Sequence, residues 1–364
     1  MIDDQKYILN KLIELIDEEN ADVLMIAGDV YDRSIPPVEA VELLNETLSS
    51  LVIDRNVSVL VISGNHDSGE RLSFGSKILE KQGLYIAGSD EELYRKVVLC
   101  ENNKNINFYL VPYKDPALTK KLLDNKEIRS HNDAMIAVID KIKANNVPVI
   151  LFNREPLTSV PIQSYGRAIY IGTDPVKAGI LQGEMLIDLW NSNKKYIDRN
   201  NDGILQYYML EGEGDNTEAT ERTKYVISTI EKSGIKTQQV GIDFANWSEK
   251  AAYEHTKEAF EKYSLDIDVI IANDDSMAIG AVKALQEYGY NKGEKSKTIP
   301  VVGVDVIPKA KEFIEKGYML GSVYQDPKDY AKALYEVGMN LINYKDPVAD
   351  TKYTLDNTKV SIRI

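Results

Sequence analysis

Several residue types are scarce in this chain of 364 residues. It contains one cysteine, Cys100, and three histidines, His66, His131 and His255. A single cysteine excludes an internal disulfide and a cysteine-based zinc site, and three histidines leave little scope for chemistry that needs several imidazoles. No apolar run approaches the roughly 20 residues that span a membrane. The first residues, MIDDQKYILN, lack the basic and apolar regions of a signal peptide, so the sequence predicts a cytoplasmic protein.

Basic residues are outnumbered by acidic ones. The chain has 43 Lys and Arg and 57 Asp and Glu, which gives a formal net charge of -14. Broad binding to a nucleic-acid backbone needs clustered Lys and Arg, so this balance favours small neutral ligands or cations. The hydrophobic content of 43% predicts compact folded units, and the length allows two or three domains.

The pattern of apolar residues predicts an α/β protein with two segments. In the first, residues 1–143, helical spacing over residues 8–16 precedes short apolar runs at 23–27 and 57–62, and a hairpin is expected around an Asn-rich turn near residue 103. In the second, residues 144–364, strands and helices alternate in the manner of doubly wound parallel sheets. The seam is expected at residues 141–146.

The loop at residues 198–206, DRNNDGILQ, predicts a calcium site. Its expected ligands are Asp198, Asn200, Asp202, the carbonyl oxygen of Ile204, and Gln206. With Gly203 at the sharp turn, these residues match the first nine positions of an EF-hand loop. Position twelve should be Glu but is Met209, so a carboxylate must come from elsewhere in the chain. The alternative is a surface turn rich in Asn and Asp.

Polar residues at the ends of predicted strands suggest a sugar site. Asn153, Asp274 and Asp305 each follow an apolar run, and ligands bind beyond the carboxyl ends of strands in open α/β sheets. Arg222 could fork onto hydroxyl groups, and Trp247 could cover the apolar face of a pyranose. Taken singly, each residue favours a structural interpretation: Arg222 as a surface ion pair, Trp247 as a core residue and Asp305 as a helix cap.

From about residue 145 the chain resembles the galactose/glucose-binding proteins of bacterial ABC transporters. The matching stretches are NVPVILFNREP, YIGTD, DRNNDGILQ, ERTKYVI, ANDDSMAIGAVKAL, IPVVGVD and LGSVYQDP. The resemblance implies a type I periplasmic-binding-protein fold with doubly wound parallel sheets, a monomer that encloses a sugar between two lobes, and an ABC permease as partner. It implies sugar contacts at Asn153, Asn216, Glu218, Arg222, Trp247, Asp274, Asp305 and Gln325.

Some of these positions depart from the pattern of that family. Asn216 stands where the family has His, Glu218 where it has Asp, and both Asp274 and Gln325 where it has Asn. The family closes its calcium loop with a distant Glu, and the matching residue here is Asp268. The identity of the sugar therefore stays open.

Two motifs in the first segment suggest a different chemistry. Residues 28–33, GDVYDR, and 64–67, GNHD, each follow an apolar run. A carboxylate can bridge two metal ions, an Asn can bind one, and a His can protonate a leaving oxygen. With their surroundings, AGDVYDRSIPPVEAV and VISGNHDSGERLSFGS, the motifs resemble the calcineurin-like metallophosphoesterases, specifically the SbcD-like exonucleases.

That second resemblance implies roles in a metal centre for three residues. Asp29 would bridge Mn²⁺ or Mg²⁺ ions, Asn65 would bind one ion, and His66 would assist the leaving group. Nucleic acid and an SbcC-like ATPase would be the partners. The family also needs an upstream Asp-x-His, a later His and a Gly-His-x-His, which we do not find in the sequence. We therefore expect a partial metallophosphoesterase segment without nuclease activity.

Three hypotheses follow for the whole chain. It is a sugar-binding protein with a damaged first lobe and an intact second lobe at about 175–325; or it is a DNA-repair phosphoesterase; or it is a non-functional join of two genes. The binding-protein family opens with first-lobe strands, and here nuclease-like sequence occupies their place. We favour the third hypothesis for the origin of the chain and the first for its biochemical content.

Overall fold

The computed structural model describes residues 2–31, 34–64, 66–88, 94–101, 104–152, 155, 160–163, 165–214, 216–294 and 297–362. The chain divides into two compact units, Met1–Lys141 and Ile142–Ile364. The division falls inside one helix, which spans His131–Ala144. Each unit is described by itself below.

The N-terminal unit contains a small parallel sheet with helices around it. Its strands are β1 (Val23–Ala27), β2 (Ser58–Ile62) and β3 (Leu84–Ala87), in that order across the sheet. Its helices are α1 (Ile2–Glu19), α2 (Val38–Ser49), α3 (Gly69–Leu72), α4 (Ser76–Leu79) and α5 (Pro116–Leu122). The apolar runs predicted as strands pack against α1. Ile16 of α1, Leu51 after α2 and Val59 of β2 are buried together in this core. The predicted hairpin is confirmed, since β4 (Arg95–Glu101) pairs antiparallel with β5 (Lys104–Leu110).

The C-terminal unit follows the helix α6 (His131–Ala144) and is built around a five-stranded parallel sheet. The strands of that sheet are β8 (Ile204–Glu211), β9 (Lys236–Phe244), β10 (Val269–Ala272), β11 (Val301–Asp305) and β12 (Gly321–Tyr324). The order across it is β12-β11-β10-β8-β9. The connecting helices are α8 (Pro175–Ile197), α9 (Thr217–Lys232), α10 (Glu249–Tyr263), α11 (Asp275–Glu287) and α12 (Pro308–Glu315).

Both faces of this sheet are covered, as the sequence predicts for a doubly wound fold. Tyr207 and Met209 of β8 pack with Val226 on α9. Their neighbours Tyr208 and Leu210 point to the opposite face, into the core that includes helices α10 and α11. Side chains alternate along a strand, so a strand buried on both faces reads as an unbroken apolar run. This explains why β8, β10 and β11 are visible in the sequence.

A second sheet belongs to the same unit. It contains β6 (Val149–Phe152), β7 (Ala168–Thr173), β13 (Leu355–Asp356) and β14 (Lys359–Ile362), in the order β13-β14-β7-β6. The short helix α7 (Val160–Gln163) precedes β7. Helix α13 (Pro327–Ile342) packs on the sheet through Ala333, Val337 and Leu341, against Ile169 and Ile171.

The strand β9 is absent from the sequence prediction. Its sequence, KTQQVGIDF, is polar, and its residues alternate only weakly between exposed and half-buried. It lies at the edge of the five-stranded sheet and pairs with β8 alone. An edge strand buries less apolar surface than a central one, so its pattern is harder to recognise.

Within the part of the chain that the structure describes, no helix is both long enough and apolar enough to cross a membrane.

Candidate functional site

The carboxyl end of the five-stranded sheet brings several of the predicted sugar contacts together. Strands β8 and β10 are neighbours although β9 lies between them in the chain, and β9 sits on the other side of β8. The connections leave in opposite directions from this point, where open α/β sheets form a ligand-binding crevice. Glu211 ends β8 here, and Asn273 follows β10.

Arg222 lies at the centre of this end of the sheet and is 3% exposed. Its Nη1 donates to the carbonyl oxygen of Asn273 at 2.8 Å, and its Nη2 donates to Oε2 of Glu218 at 3.1 Å. Arg222 and Glu218 are four residues apart on α9 and therefore share one helix face. The surface ion pair considered for Arg222 is thus a buried pair. The Nε atom of Arg222 is buried and has no hydrogen-bond partner among the described residues.

Asp274 lies two residues after β10, and Asp305 is the last residue of the neighbouring strand β11. Asp274 caps α11, because its Oδ1 accepts from the backbone N–H of Met277 at 2.9 Å. Burial, as the largest cause, raises the pKa of both carboxyl groups to about 7.

Asp305 is not the helix cap that the sequence allowed, because Ile307 occupies the position before α12. The carboxylate of Asp305 accepts no hydrogen bond from the described residues. The backbone at Asp305 has φ 114°, a strained conformation for a residue with a side chain.

Trp247 forms a half-buried wall beside Arg222. The Cζ of Arg222 lies 5.9 Å from the centre of the Trp247 ring. The ring rests directly on Gly212, where an added Cβ would come within 2.2 Å of Trp247 Cζ2. The absence of a side chain at Gly212 therefore sets the position of the ring. Trp247 itself has φ 61°.

The remaining predicted sugar contacts differ in whether their side chains already form hydrogen bonds within the protein. Asn216 caps α9, since its Oδ1 accepts from the backbone N–H of Glu218 at 2.9 Å. Gln325 follows β12, and its Nε2 is buried with no hydrogen-bond partner in the part of the chain that the structure describes. Asn153 lies outside the described residues.

Sequence reasoning missed three residues around Glu218 and one beneath Arg222. Tyr170 of β7, which is 2% exposed, hydrogen-bonds to Glu218. The positive charge of Lys359, on β14, lowers the pKa of Glu218. The Nζ of Lys359 also donates to Oε2 of Glu155 at 2.7 Å. Burial, as the largest cause, raises the pKa of Glu218, and both Arg222 and Lys359 oppose that rise.

The residue beneath Arg222 is Asn273, which is fully buried. Its Oδ1 accepts from the backbone N–H of Gly212 at 3.0 Å, and its Nδ2 donates to Thr223. The stretch ANDD was the only available signal for Asn273. Tyr170 and Glu155 lie in the matching stretches YIGTD and NVPVILFNREP, which indicate the family and not a role for these two residues, and Lys359 lies in none of the matching stretches.

The predicted calcium loop is a compact turn at the amino end of β8. Asp198, with a side chain 3% exposed, accepts from the backbone N–H groups of Asp202 at 2.9 Å and Gly203 at 3.0 Å. The Oδ1 of Asn200 accepts from the same N–H of Asp202, and the Oδ1 of Asp202 accepts from Ile204. The three predicted side chains therefore converge on one turn.

The side-chain oxygen of Gln206 supports the interpretation that a cation fits this loop. Gln206 is 2% exposed, and its Oε1 is buried without a hydrogen-bond partner. A buried acceptor without a donor is costly and needs an explanation. A calcium ion coordinated by this oxygen would supply one.

Asp268, the predicted closing residue, reaches the loop across 62 residues of sequence. Its Oδ2 accepts from the backbone N–H of Gln206 at 2.9 Å, and its Oδ1 accepts from Arg199 at 3.0 Å. The carboxylate therefore lies against the loop from the sheet side. Among the described residues, no group of three or more His, Cys, Asp or Glu side chains converges as a metal cluster. Amide and carbonyl oxygens would have to complete any shell here.

In the N-terminal unit, the two motif loops are in direct contact. The Oδ1 of Asp29 accepts from the backbone N–H of His66 at 3.3 Å. Asp67 accepts from the backbone N–H groups of Val30, Tyr31 and Gly64, so its carboxylate is committed to joining the loops. Asn65, the predicted metal ligand, lies outside the described residues.

Two family models match the chain. "Periplasmic binding protein domain" matches residues 129–346, and "Calcineurin-like phosphoesterase" matches residues 2–184. Each match covers more than half of the 364 residues. The chain belongs to both families. We refer to residues 129–346 as the binding-protein segment and to residues 2–184 as the phosphoesterase segment; they overlap at 129–184.

Curated relatives match the two segments separately. The D-galactose/methyl-galactoside binding periplasmic protein MglB of Haemophilus influenzae is 36% identical over 226 residues, which are 62% of this chain and 66% of that protein. The SbcD component of the nuclease SbcCD from Staphylococcus saprophyticus is 37% identical over 152 residues, 40% of this chain and 39% of that protein. The chain thus spans about two thirds of one relative and well under half of the other.

A solved structure is similar in fold over most of the chain. An ABC transporter periplasmic solute binding protein of Actinobacillus succinogenes, with bound D-allose, aligns with a TM-score of 0.53 over 93% of this chain and 94% of its own. Its sequence identity is 16%, so the likeness concerns the fold alone.

Proposed function

We propose that the C-terminal unit binds a monosaccharide of the galactose or glucose type at the carboxyl end of its five-stranded sheet. One observation carries the proposal. The described residues contain six buried side-chain polar atoms without a hydrogen-bond partner, and two of the six, Arg222 Nε and Gln325 Nε2, belong to predicted sugar contacts. Unpaired buried donors are rare in folded proteins. The oxygen atoms of a bound sugar would satisfy both.

The neighbouring groups suit the same ligand. Asp274 and Asp305 offer acceptors for hydroxyl hydrogens, and the half-buried ring of Trp247 offers an apolar face. Few polar groups placed around an apolar wall are typical of small-molecule sites.

Gln325→Leu provides a sharp test. In the free protein the Nε2 of Gln325 has no partner, so the substitution removes no internal hydrogen bond of that atom and we expect unchanged or slightly higher stability. Binding of galactose and glucose to the purified full chain should weaken by roughly tenfold, the usual value of a lost hydrogen bond in a desolvated site. Isothermal titration calorimetry measures the affinity, and Gln238→Leu on the exposed part of β9 is the matched control.

If the unsubstituted chain binds neither sugar, or if both leucine variants bind equally well, the site is not where we place it.

We also propose that a calcium ion occupies the loop at residues 198–206. The unpaired oxygen of Gln206 and the convergence of Asp198, Asn200 and Asp202 support this. The ion would be structural, because this loop lies at the amino ends of the strands and the sugar site at their carboxyl ends. The carbonyl oxygen of Ile204 and the carboxylate of Asp268 would contribute further ligands.

For transport, the chain would act outside the inner membrane and deliver sugar to an ABC permease, as the names of the periplasmic relatives suggest. The first lobe of the resembled family is only partly represented in this sequence. Because one lobe alone encloses less of the sugar, we expect lower affinity than a two-lobed binding protein reaches.

For the phosphoesterase segment we propose a remnant of a metal-dependent nuclease without activity. Asp29 and His66 are brought together, but Asp67 is committed to backbone N–H groups. A two-metal centre needs several further ligands around Asp29, each held by its own neighbours. Manganese or magnesium and nucleic acid would be relevant only to an active nuclease.

A further inference from the structure

Two aromatic rings lie against one short stretch of the chain at the carboxyl end of the five-stranded sheet. Trp247 rests on Gly212, where an added Cβ would come within 2.2 Å of Trp247 Cζ2. Phe244 rests on Gly214, where an added Cβ would come within 3.1 Å of Phe244 Cε1. The two glycines are two residues apart, so their Cα atoms lie at most about 7 Å from each other. Neighbouring points of one loop therefore hold both rings.

A tight turn after β9 brings both rings to this loop. The strand ends at Phe244, which pairs with Glu211, the last residue of β8. The backbone N–H of Ala245 donates to the carbonyl oxygen of Glu211 at 2.9 Å. Asn246 and Trp247 then take left-handed φ values of 49° and 61°, which turn the chain back toward the sheet. The backbone therefore fixes where both side chains start.

The two rings lie at different depths. Gly212 is buried, and the half-buried Trp247 lies beside Arg222 of the proposed sugar site. Gly214 is exposed, and Phe244 is 50% exposed. A single exposed apolar residue needs no explanation by itself. Here, however, the exposed ring continues the apolar wall that Trp247 begins, so the wall extends from the sugar site to the surface.

Polar groups flank the outer ring as they flank the inner one. Glu213 lies between the two glycines and is half-buried, and its Oε2 accepts from Nδ2 of Asn216 at 3.4 Å. A carboxylate has about four lone-pair positions, so Glu213 can also accept from a hydroxyl group. An apolar face with a few polar groups at its edge is typical of small-molecule sites. The outer part of the wall therefore suits a second sugar ring.

We propose that the sugar site continues outward and takes a disaccharide, with the first ring on Trp247 and the second ring on Phe244. This inference rests on the proposed sugar-binding function and narrows its substrate class. Hydroxyl groups of the second ring would donate to Glu213. Oxygen atoms of the first ring would accept from Arg222 Nε and Gln325 Nε2, as in the monosaccharide complex.

The test compares ligands that share one sugar unit, on the purified full chain. Isothermal titration calorimetry is run with galactose, its two methyl glycosides, and lactose and melibiose, which join glucose to galactose by a β and an α linkage. Glucose, its methyl glycosides, cellobiose and maltose form the second set. A methyl glycoside blocks the anomeric hydroxyl as a disaccharide does but has no second ring.

We expect at least one disaccharide to bind roughly fivefold tighter than the matching methyl glycoside, because its second ring would cover apolar surface of Phe244 that is otherwise exposed to water.

Variants of Phe244 isolate the contribution of the outer ring. Phe244→Ala should bring the ratio of disaccharide to methyl-glycoside affinity close to one, and Phe244→Leu should give an intermediate ratio. Tyr335→Ala is the matched control, because Tyr335 on α13 is also exposed, at 68%, and should leave the ratio unchanged. Melting temperatures show whether each variant is folded. Should Phe244→Ala unfold the chain, the comparison is made with Phe244→Leu.

The outcomes are distinct. Disaccharides that bind no tighter than the methyl glycosides overturn this inference and leave the proposed function standing. Absence of binding by every sugar overturns both. A disaccharide advantage that persists undiminished in both Phe244 variants overturns the assignment of the second ring to Phe244.

Discussion

Residues at the proposed sugar site show how burial changes the properties of a side chain. Glu218 and Arg222 would each be ordinary on an exposed helix, yet here they form a buried pair that Tyr170 supports through a hydrogen bond. Asp274 serves as a helix cap, and the charge of Asp305 contributes to the rise in its pKa. The burial that suits these groups for ligand binding also makes them sensitive to pH.

The carboxyl groups of Asp274 and Asp305 predict a definite pH dependence of stability. Their pKa is about 7 in the folded chain, against roughly 4 for an unfolded carboxyl group. Between those values the folded state binds more protons, so the free energy of unfolding should fall as pH rises from about 4 to about 7. We expect the C-terminal unit to be more stable near pH 5 than near pH 8.

Urea unfolding followed by tryptophan fluorescence measures this. Both tryptophans of the chain, Trp190 and Trp247, lie in the C-terminal unit, so the signal reports on that unit. Asp274→Asn should flatten the pH dependence, and the exposed Asp188→Asn should not. A pH dependence that is identical in all three proteins would contradict the assignment.

At the scale of elements, turns and close helix contacts position the site. The loop at residues 198–206 joins α8 to β8. Asp268, which precedes β10 beside β8 in the sheet, accepts a hydrogen bond from this loop. Helices α8 and α9 approach closely at Gly179 and Gly183, where an added Cβ would meet backbone of α9. This approach of the two helices matters for function because α9 carries Glu218 and Arg222.

The calcium loop predicts a cation-specific stabilisation. At the proposed site calcium would bind the folded loop and not the unfolded chain, so millimolar calcium should raise the melting temperature of the C-terminal unit, and magnesium should do so much less. A calcium concentration of about 100 times the Kd corresponds to about 2.7 kcal/mol. Tryptophan fluorescence again follows the transition.

Gln206→Leu is the informative variant for this loop. It removes the unpaired oxygen, so most of the calcium effect should disappear, while the exposed Gln238→Leu should keep it. An unchanged melting temperature of the natural chain with and without calcium would show that the loop is only an Asn- and Asp-rich turn.

The contact of α8 with α9 predicts an indirect effect on sugar binding. In Gly179→Ala the new methyl group would lie 2.7 Å from the carbonyl oxygen of Arg222, so α9 must shift. We expect a loss of about 1–3 kcal/mol in stability, together with weaker sugar binding. Gly166→Ala is the control, because its added Cβ meets no atom within 4 Å. Equal stability and sugar affinity in the two variants would contradict this account.

At the scale of the whole molecule, the chain combines parts of two families. The phosphoesterase and binding-protein segments overlap at residues 129–184, close to where the two compact units divide. Neither curated relative is covered in full. The chemistry of each segment therefore depends on how much of its site the sequence retains.

The phosphoesterase segment predicts an inactive nuclease. Purified chain with manganese and linear double-stranded DNA should release no nucleotides above the background of an Asp29→Asn variant. Among the described residues, no three His, Cys, Asp or Glu side chains converge as a metal site. Nucleotide release that depends on manganese and disappears in Asp29→Asn would prove the opposite. His66→Gln then distinguishes loss of the leaving-group acid from loss of the metal.

Much of this protein could be predicted from local sequence. Buried parallel strands such as β8 and β10 form unbroken apolar runs, and both families leave contiguous motifs. The turn that we propose as a calcium site is contained in nine consecutive residues. These features depend on neighbours in the chain. Only the tertiary structure decided which polar atoms have partners, because those contacts join residues far apart: Arg222 with Asn273, Asp268 with Gln206, and Tyr170 with Glu218. Burial and long-range pairing, which no local pattern encodes, left Gln206, Gln325 and Arg222 with the unpaired atoms that indicate ligands.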